Sequence, residues 1–229
     1  MNDRSKPLSP SGTTLPGIQR IGMGRPLAWL TAGWQDVRAN PLPSLAYGLL
    51  FALGGDLIIL AFLQTPHLLT VSISGFFLIA LLLAAGLYEL SRRHEAGEKI
   101  LFIDSLKCFA RNGRSLALFG LILALIALMW ERFSAMSFAM IGVTSAPNAS
   151  VYLKQVIFGG EHLAFTATWF ALGGVLALFA YALAVVSVPL MLDRNADVAT
   201  AMMTSLRTFA RNAGPLLLWA ALLVALTLL

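Results

Sequence analysis

Apolar residues run through this chain in long blocks rather than in alternation, and polar residues gather in the gaps. Five blocks, near Ser44–Gln64, Leu68–Leu90, Ser115–Trp130, Phe165–Leu192 and Gly214–Leu229, carry almost no charge. A helix that crosses roughly 30 Å of hydrocarbon needs about 20 residues at ~1.5 Å each. The second and fourth blocks meet this outright. The third meets it by running to about residue 135, past Glu131 and Arg132. The fifth has 16 residues before Leu229. The pattern predicts an all-α, polytopic transmembrane helical bundle over residues 26–229. A mobile tail, residues 1–25, precedes it; that tail is rich in Pro, Gly and Ser and lacks the apolar core of a signal peptide.

Shorter amphipathic segments stand just before three of the blocks. In the first, Leu27, Leu30, Trp34 and Val37 recur at helical spacing. In the second, Ile100, Ile103, Leu106 and Phe109 make an apolar stripe and Lys107, Arg111 and Arg114 a basic one. In the third, Val198, Met202, Leu206 and Phe209 oppose Thr200, Thr204, Arg207 and Arg211. Such helices lie in the membrane interface, apolar side down and cations among lipid phosphates. Each stops at an Asn (Asn40, Asn112 or Asn212), a residue that tolerates the left-handed conformation of a helix end. Pro41 and Pro215 are expected to enforce two of these breaks.

Two of the segments are copies. At an offset of 100 residues, Asp104–Met129 aligns without gaps to Thr204–Leu229, with 10 identities in 26 positions. Leucines match cheaply in membrane spans, so the weight lies on the shared block Ser-Leu-[Lys/Arg]-x-Phe-Ala-Arg-Asn, from Ser105 and from Ser205. A weaker third copy, "VRANPLPSLAYGLL" from Val37, aligns after one insertion. The expected plan is three units of surface helix plus transmembrane hairpin. A ligand-reading role for Arg-Asn is the alternative, but capping and lipid contact already account for both residues.

Charge orients the bundle. Arg4, Lys6, Arg20, Arg25 and Arg38 precede the first block. Arg92, Arg93, Lys99, Lys107, Arg111 and Arg114 lie between the second and third, and Arg194, Arg207 and Arg211 between the fourth and fifth. Only Arg132 and Lys154 fall on the other side. The positive-inside rule makes the N-terminus cytoplasmic. The mean hydropathy of +0.79 and 12% charged residues, half the soluble norm of about 25%, agree with a membrane protein. The formal charge of +5 is scattered between apolar runs, which argues against nucleic acid and for the bilayer, with a membrane-protein partner possible. Cys108, the sole cysteine, excludes an internal disulfide and a cysteine metal cluster.

"GLYELSRRHEAGE" from Gly86, the "SLKCFARN" and "SLRTFARN" blocks, and "VVSVPLMLDR" from Val185 resemble the bacterial integral membrane family called domain of unknown function 2189. The resemblance spans about residues 25 to 229. It implies a six-helix inner-membrane protein of Gram-negative bacteria, some of whose relatives carry a label linking them to cytochrome c oxidase subunit I. It implies no cofactor and no catalytic residues. By this resemblance a further hydrophobic helix would follow Leu229, so the chain is expected to be truncated. The three histidines, His67, His94 and His162, all lie outside the spans, whereas an oxidase core needs several within them. A respiratory-oxidase-associated protein is the most that label allows.

Asp56 is the one carboxylate well inside a span, where a charge costs about 3 kcal/mol or more. Gly48, Ala52 and Gly55 share its helical face, so Asp56 is expected to point into the bundle. It could relay a proton or bind a cation; equally, it could be a neutral hydrogen-bonded acid. Gly173, Ala177, Ala180, Ala184 and Ser187 form a small-residue stripe for close helix packing, and Pro189 is expected to kink that span and free a carbonyl. Glu89 is expected to pair with Arg92 or Arg93. Phe133–Leu163 reads as a helix lying on the outer surface, and His67 and His162 as solvated loop residues rather than a metal pair. No metal site, phosphate loop or nucleophile–base pair stands out in the spans. The sequence therefore favours a non-enzymatic accessory or scaffold protein acting through Arg38, Lys107, Arg111, Arg114, Arg207 and Arg211. A small-solute or ion transporter using Asp56 is the alternative. Oligomeric state is not encoded in any of these patterns.

Overall fold

The structure, a computed structural model, describes residues 17–62, 84–97, 102–105, 108–140, 163–194 and 196–228. Its elements are α1 (Arg25–Ala39), α2 (Pro41–Phe62), α3 (residues 84–95), α4 (Phe102–Ser105), α5 (Cys108–Met140), α6 (Leu163–Ala184), α7 (Ser187–Arg194), α8 (Val198–Arg211) and α9 (Ala213–Leu228). Among the described residues there is no strand, so the all-α expectation holds. Three stretches are long and apolar enough to span: Pro41–Ile58, Asn112–Ser137 and Leu163–Arg194. The expected span Leu68–Leu90 lies outside the described residues except for its last turn and a half, which opens α3.

The fifth block joins its surface helix as a bent pair: α8 and α9 meet at 101°. The bend sits at Asn212, as the sequence suggests, but the conformation differs. Asn40 (φ −131°, ψ 65°), Asn112 (φ −137°, ψ 26°) and Asn212 (φ −131°, ψ 36°) all leave the helical region without entering the left-handed one. The Asn40 and Asn212 amides still donate back, to Asp36 and to Thr208 and Phe209, so the preceding turn closes before the chain swings away. The prolines play the opposite role to the one expected. Pro41 is the first residue of α2 and Pro215 lies in the first turn of α9, so each preorganises the start of the next helix. A left-handed stop does occur after α3, where Gly97 (φ 76°) donates its amide to His94.

α5 also departs from expectation. It runs unbroken past Trp130 to Met140, so Phe133–Met140 continues a span rather than opening a surface helix. Residues 141–162 of that segment lie outside the described residues. At the far end of α5, Trp130 stacks near Trp169 of α6, with ring centroids 5.3 Å apart. Gly173 makes this possible: a Cβ there would sit 2.8 Å from the Trp130 ring. The small-residue stripe thus admits an aromatic ring on one side.

The densest packing lies at the opposite end of the spans. Ala85 of α3, Leu116 and Phe119 of α5, Val188, Met191 and Leu192 of α7, and Val198 and Ala201 of α8 form one buried cluster. By contrast, only 6% of the Pro41–Ile58 window is buried. Lipid tails are as apolar as leucine, so a span gains little by hiding its side chains in protein. The layer where helices turn has polar backbone to satisfy, and it packs accordingly.

The turn between α6 and α7 shows how. A continuous helix would bond the Val186 amide to the Ala182 carbonyl. Instead, the Ser205 hydroxyl of α8 stands between them, accepting from Val186 N–H (3.1 Å) and donating to Ala182 C=O (2.7 Å). Ser205 is fully buried. The break falls at Val185–Val186, ahead of Pro189, and a neighbouring helix supplies the group that satisfies it.

Candidate functional site

The duplicated block builds this layer, and both copies use the same two residue types. Ser105 Oγ donates to Phe102 C=O at 2.6 Å, so Tyr47, at 2.6 Å from the same oxygen, donates to Ser105. That ties α2 to α4. Gly86 of α3 lets the phenol in, since a Cβ there would lie 2.0 Å from Tyr47 Oη. Seven residues beyond each serine, the asparagine side chain crosses to another segment. Asn112 donates to Met191 C=O at 2.6 Å. Asn212 accepts from Ile21 N–H at 2.8 Å and donates to Gln19 C=O at 3.1 Å, gripping the backbone of residues 19–21 as a neighbouring β-strand would. The serine and asparagine roles were missed when the block was read only as caps and lipid contacts. Their identity in both copies was the available signal.

α3 ends in charge. Glu89 is buried, and the Arg92 guanidinium grips its carboxylate with two bonds of 2.9 and 2.7 Å while Arg93 Nε adds a third at 2.6 Å. Both expected partners are engaged at once, which offsets the desolvation of the acid. Next to it, Asp36 of α1 accepts from Ser91 Oγ and lies 2.7 Å from His94 Nδ1. This clasp joins α1 to α3. Reading His94 as a solvated loop histidine missed it, because Asp36 and His94 are 58 positions apart.

The predicted cations fall on the exterior. Arg38 lies 5.1 Å from the Trp34 ring centroid, and Arg114, Arg207 and Arg211 are exposed. Arg111 belongs to α5, but its side chain, like all of Lys107, lies outside the described residues. On α8 the buried face is Val198, Ala201, Thr204 and Ser205, not the expected Val198–Met202–Leu206–Phe209 stripe. Thr204, assigned to the solvent face, is buried and donates to Thr200 C=O at 2.7 Å. Small side chains let α8 sit close beneath α6 and α7, and Met202, Leu206 and Phe209 are half-covered at its flank. Asp197 caps α8 by accepting from Thr200 N–H at 3.0 Å, and that bond holds its carboxyl below the usual aspartate range.

Asp56 is exposed on α2, and the space beside Gly48 and Gly55 is open. Among the described residues no helix covers that face, and residues 63–83 lie outside them. His67 and His162 also lie outside. No cluster of three or more metal-binding side chains occurs among the described residues.

Residues 68–193 match the model of the family described as "Predicted integral membrane protein (DUF2189)". The chain belongs to this family. It is an integral, multi-pass membrane protein. The DUF2189 match includes Glu89 with its two arginines, Ser105, Asn112 and the α6–α7 break; α1, α2, α8 and α9 lie outside it. Comparison with curated proteins and with solved structures returned no match.

The layer also holds a cleft of about 770 Å³. One wall is the backbone of residues 17–21, held by Asn212. The others come from α3, α7 and α8.

Proposed function

We propose that this DUF2189 protein is a non-enzymatic accessory or scaffold protein of the bacterial inner membrane, whose basic surface helices hold anionic lipid or a membrane partner at the cytoplasmic face. Three related units of surface helix and span, with the N-terminus cytoplasmic, are part of this reading. The observation that carries it is α8. This helix turns 101° away from α9, buries its small face and leaves Arg207 and Arg211 exposed. With α9 along the membrane normal, α8 lies in the membrane plane with both cations at headgroup depth, where each contributes about 1 kcal/mol against an anionic leaflet.

The test is lipid-dependent stabilisation of the full chain in nanodiscs. Phosphatidylglycerol should raise the melting temperature of the wild type over a phosphatidylcholine reference. Arg207→Gln with Arg211→Gln should remove most of that gain. An undiminished gain in the double variant would refute the basic-face reading.

A further inference from the structure

The 770 Å³ cleft has a charge pattern that the basic-face reading does not use. Its two facing walls each carry one cation and one carboxylate: Arg92 and Glu95 on α3, Asp193 and Arg194 on α7. Asp193 and Arg194 touch only loosely, at 3.9 Å, and both side chains are about two-thirds exposed. Between these walls the lining is apolar, from Ile18 and Ile21 to Pro189 and Leu190. The cleft opens where α6 gives way to α7, at the end of a span.

Both signs on both walls suit a ligand that carries both signs itself. A purely anionic group would meet Glu95 and Asp193, and a purely cationic one would meet Arg92 and Arg194; either leaves a carboxylate or guanidinium opposed. An apolar lining at the membrane edge further calls for a group attached to hydrocarbon. We propose that this cleft binds the zwitterionic headgroup of a phosphatidylethanolamine-type lipid, with the phosphate toward Arg92 and Arg194 and the ammonium toward Glu95 and Asp193. The ammonium donates N–H bonds to the carboxylates, the strong, charge-assisted kind. Asn212 serves this site indirectly, by holding the residue 17–21 wall in place.

The site is independent of Arg207 and Arg211, so the two proposals fail separately. The experiment uses the detergent-purified full chain and native mass spectrometry with phosphatidylethanolamine, phosphatidylcholine or phosphatidylglycerol of matched acyl chains. Ethanolamine lipid should be retained about tenfold more tightly than choline lipid, whose quaternary nitrogen has no N–H to donate, and more tightly than glycerol lipid. Glu95→Gln with Asp193→Asn, at two exposed positions, should bring ethanolamine and choline lipids to parity while the lipid-free melting temperature stays put. Arg194→Gln should weaken both lipids together. Equal retention of all three lipids by the wild type, tighter retention of the glycerol lipid, or an ethanolamine preference that survives in the double variant would each overturn the proposal.

Discussion

Helices α1 and α8 stop in the same way, at an asparagine with φ −131°, yet they are held to the protein by opposite means. α8 begins at a side-chain cap, Asp197, and buries Val198, Ala201, Thr204 and Ser205 against its neighbours. α1 begins at Gly24 without a side-chain cap, and Pro26 is its only buried residue. Its Leu27 and Trp34 are 55% and 57% exposed. What ties α1 down is local: the Asp36 clasp and the edge-on contact of Trp29 with Trp219, at 5.7 Å. The same stop signal therefore ends two kinds of helix. One is a packed part of the fold; the other presents an apolar stripe for the bilayer to cover.

Three substitutions probe this contrast. Ser205→Ala on α8 should be the most damaging, because it strands the Val186 amide and the Ala182 carbonyl together. A loss of about 2–4 kcal/mol is expected in mixed-micelle denaturation. A loss under about 0.5 kcal/mol would show that α8 is no more integral than α1. Asp36→Ala should cost about 1.5 kcal/mol, discounted because Asp36 and His94 are partly exposed, and its mark should be local. Hydrogen exchange should quicken throughout α1 and stay unchanged in α8.

Asp197→Ala should cost about 1 kcal/mol, the value of an N-cap. Its pH dependence has a fixed sign: the folded carboxyl titrates below the ordinary aspartate value, so the cap is fully effective above that value and is lost as pH falls through the lower one. Amides at the start of α8 should lose protection on acidification below about pH 4. The same amides in the alanine variant should show no such step, and α1 should be indifferent in either protein.

The helices themselves were legible because lipid imposes one simple rule, an apolar run of sufficient length. The positions of Asn40, Asn112 and Asn212 as breaks were legible too, since each separates an amphipathic segment from an apolar one. Their conformation was not, because a helix can also end by reaching sideways for a partner. Partners are what one chain's pattern hides. Nothing local to Ser205 announces that it will sit between Val186 and Ala182, and nothing near His94 points to Asp36. Thr204 was misassigned for a related reason: beneath a turn in another helix, small and self-bonded outranks apolar.

The length of α5 has its own consequence. The 26 residues from Asn112 to Ser137 extend about 39 Å at ~1.5 Å per residue, against roughly 30 Å of hydrocarbon, and the helix goes on to Met140. Tilt alone would have to be steeper than is usual to absorb the excess. The tip, with Met136 and Met140 bare at its surface, therefore stands clear of the lipid as a stiff post. A cysteine label placed there would mark the side of the membrane opposite the basic helices.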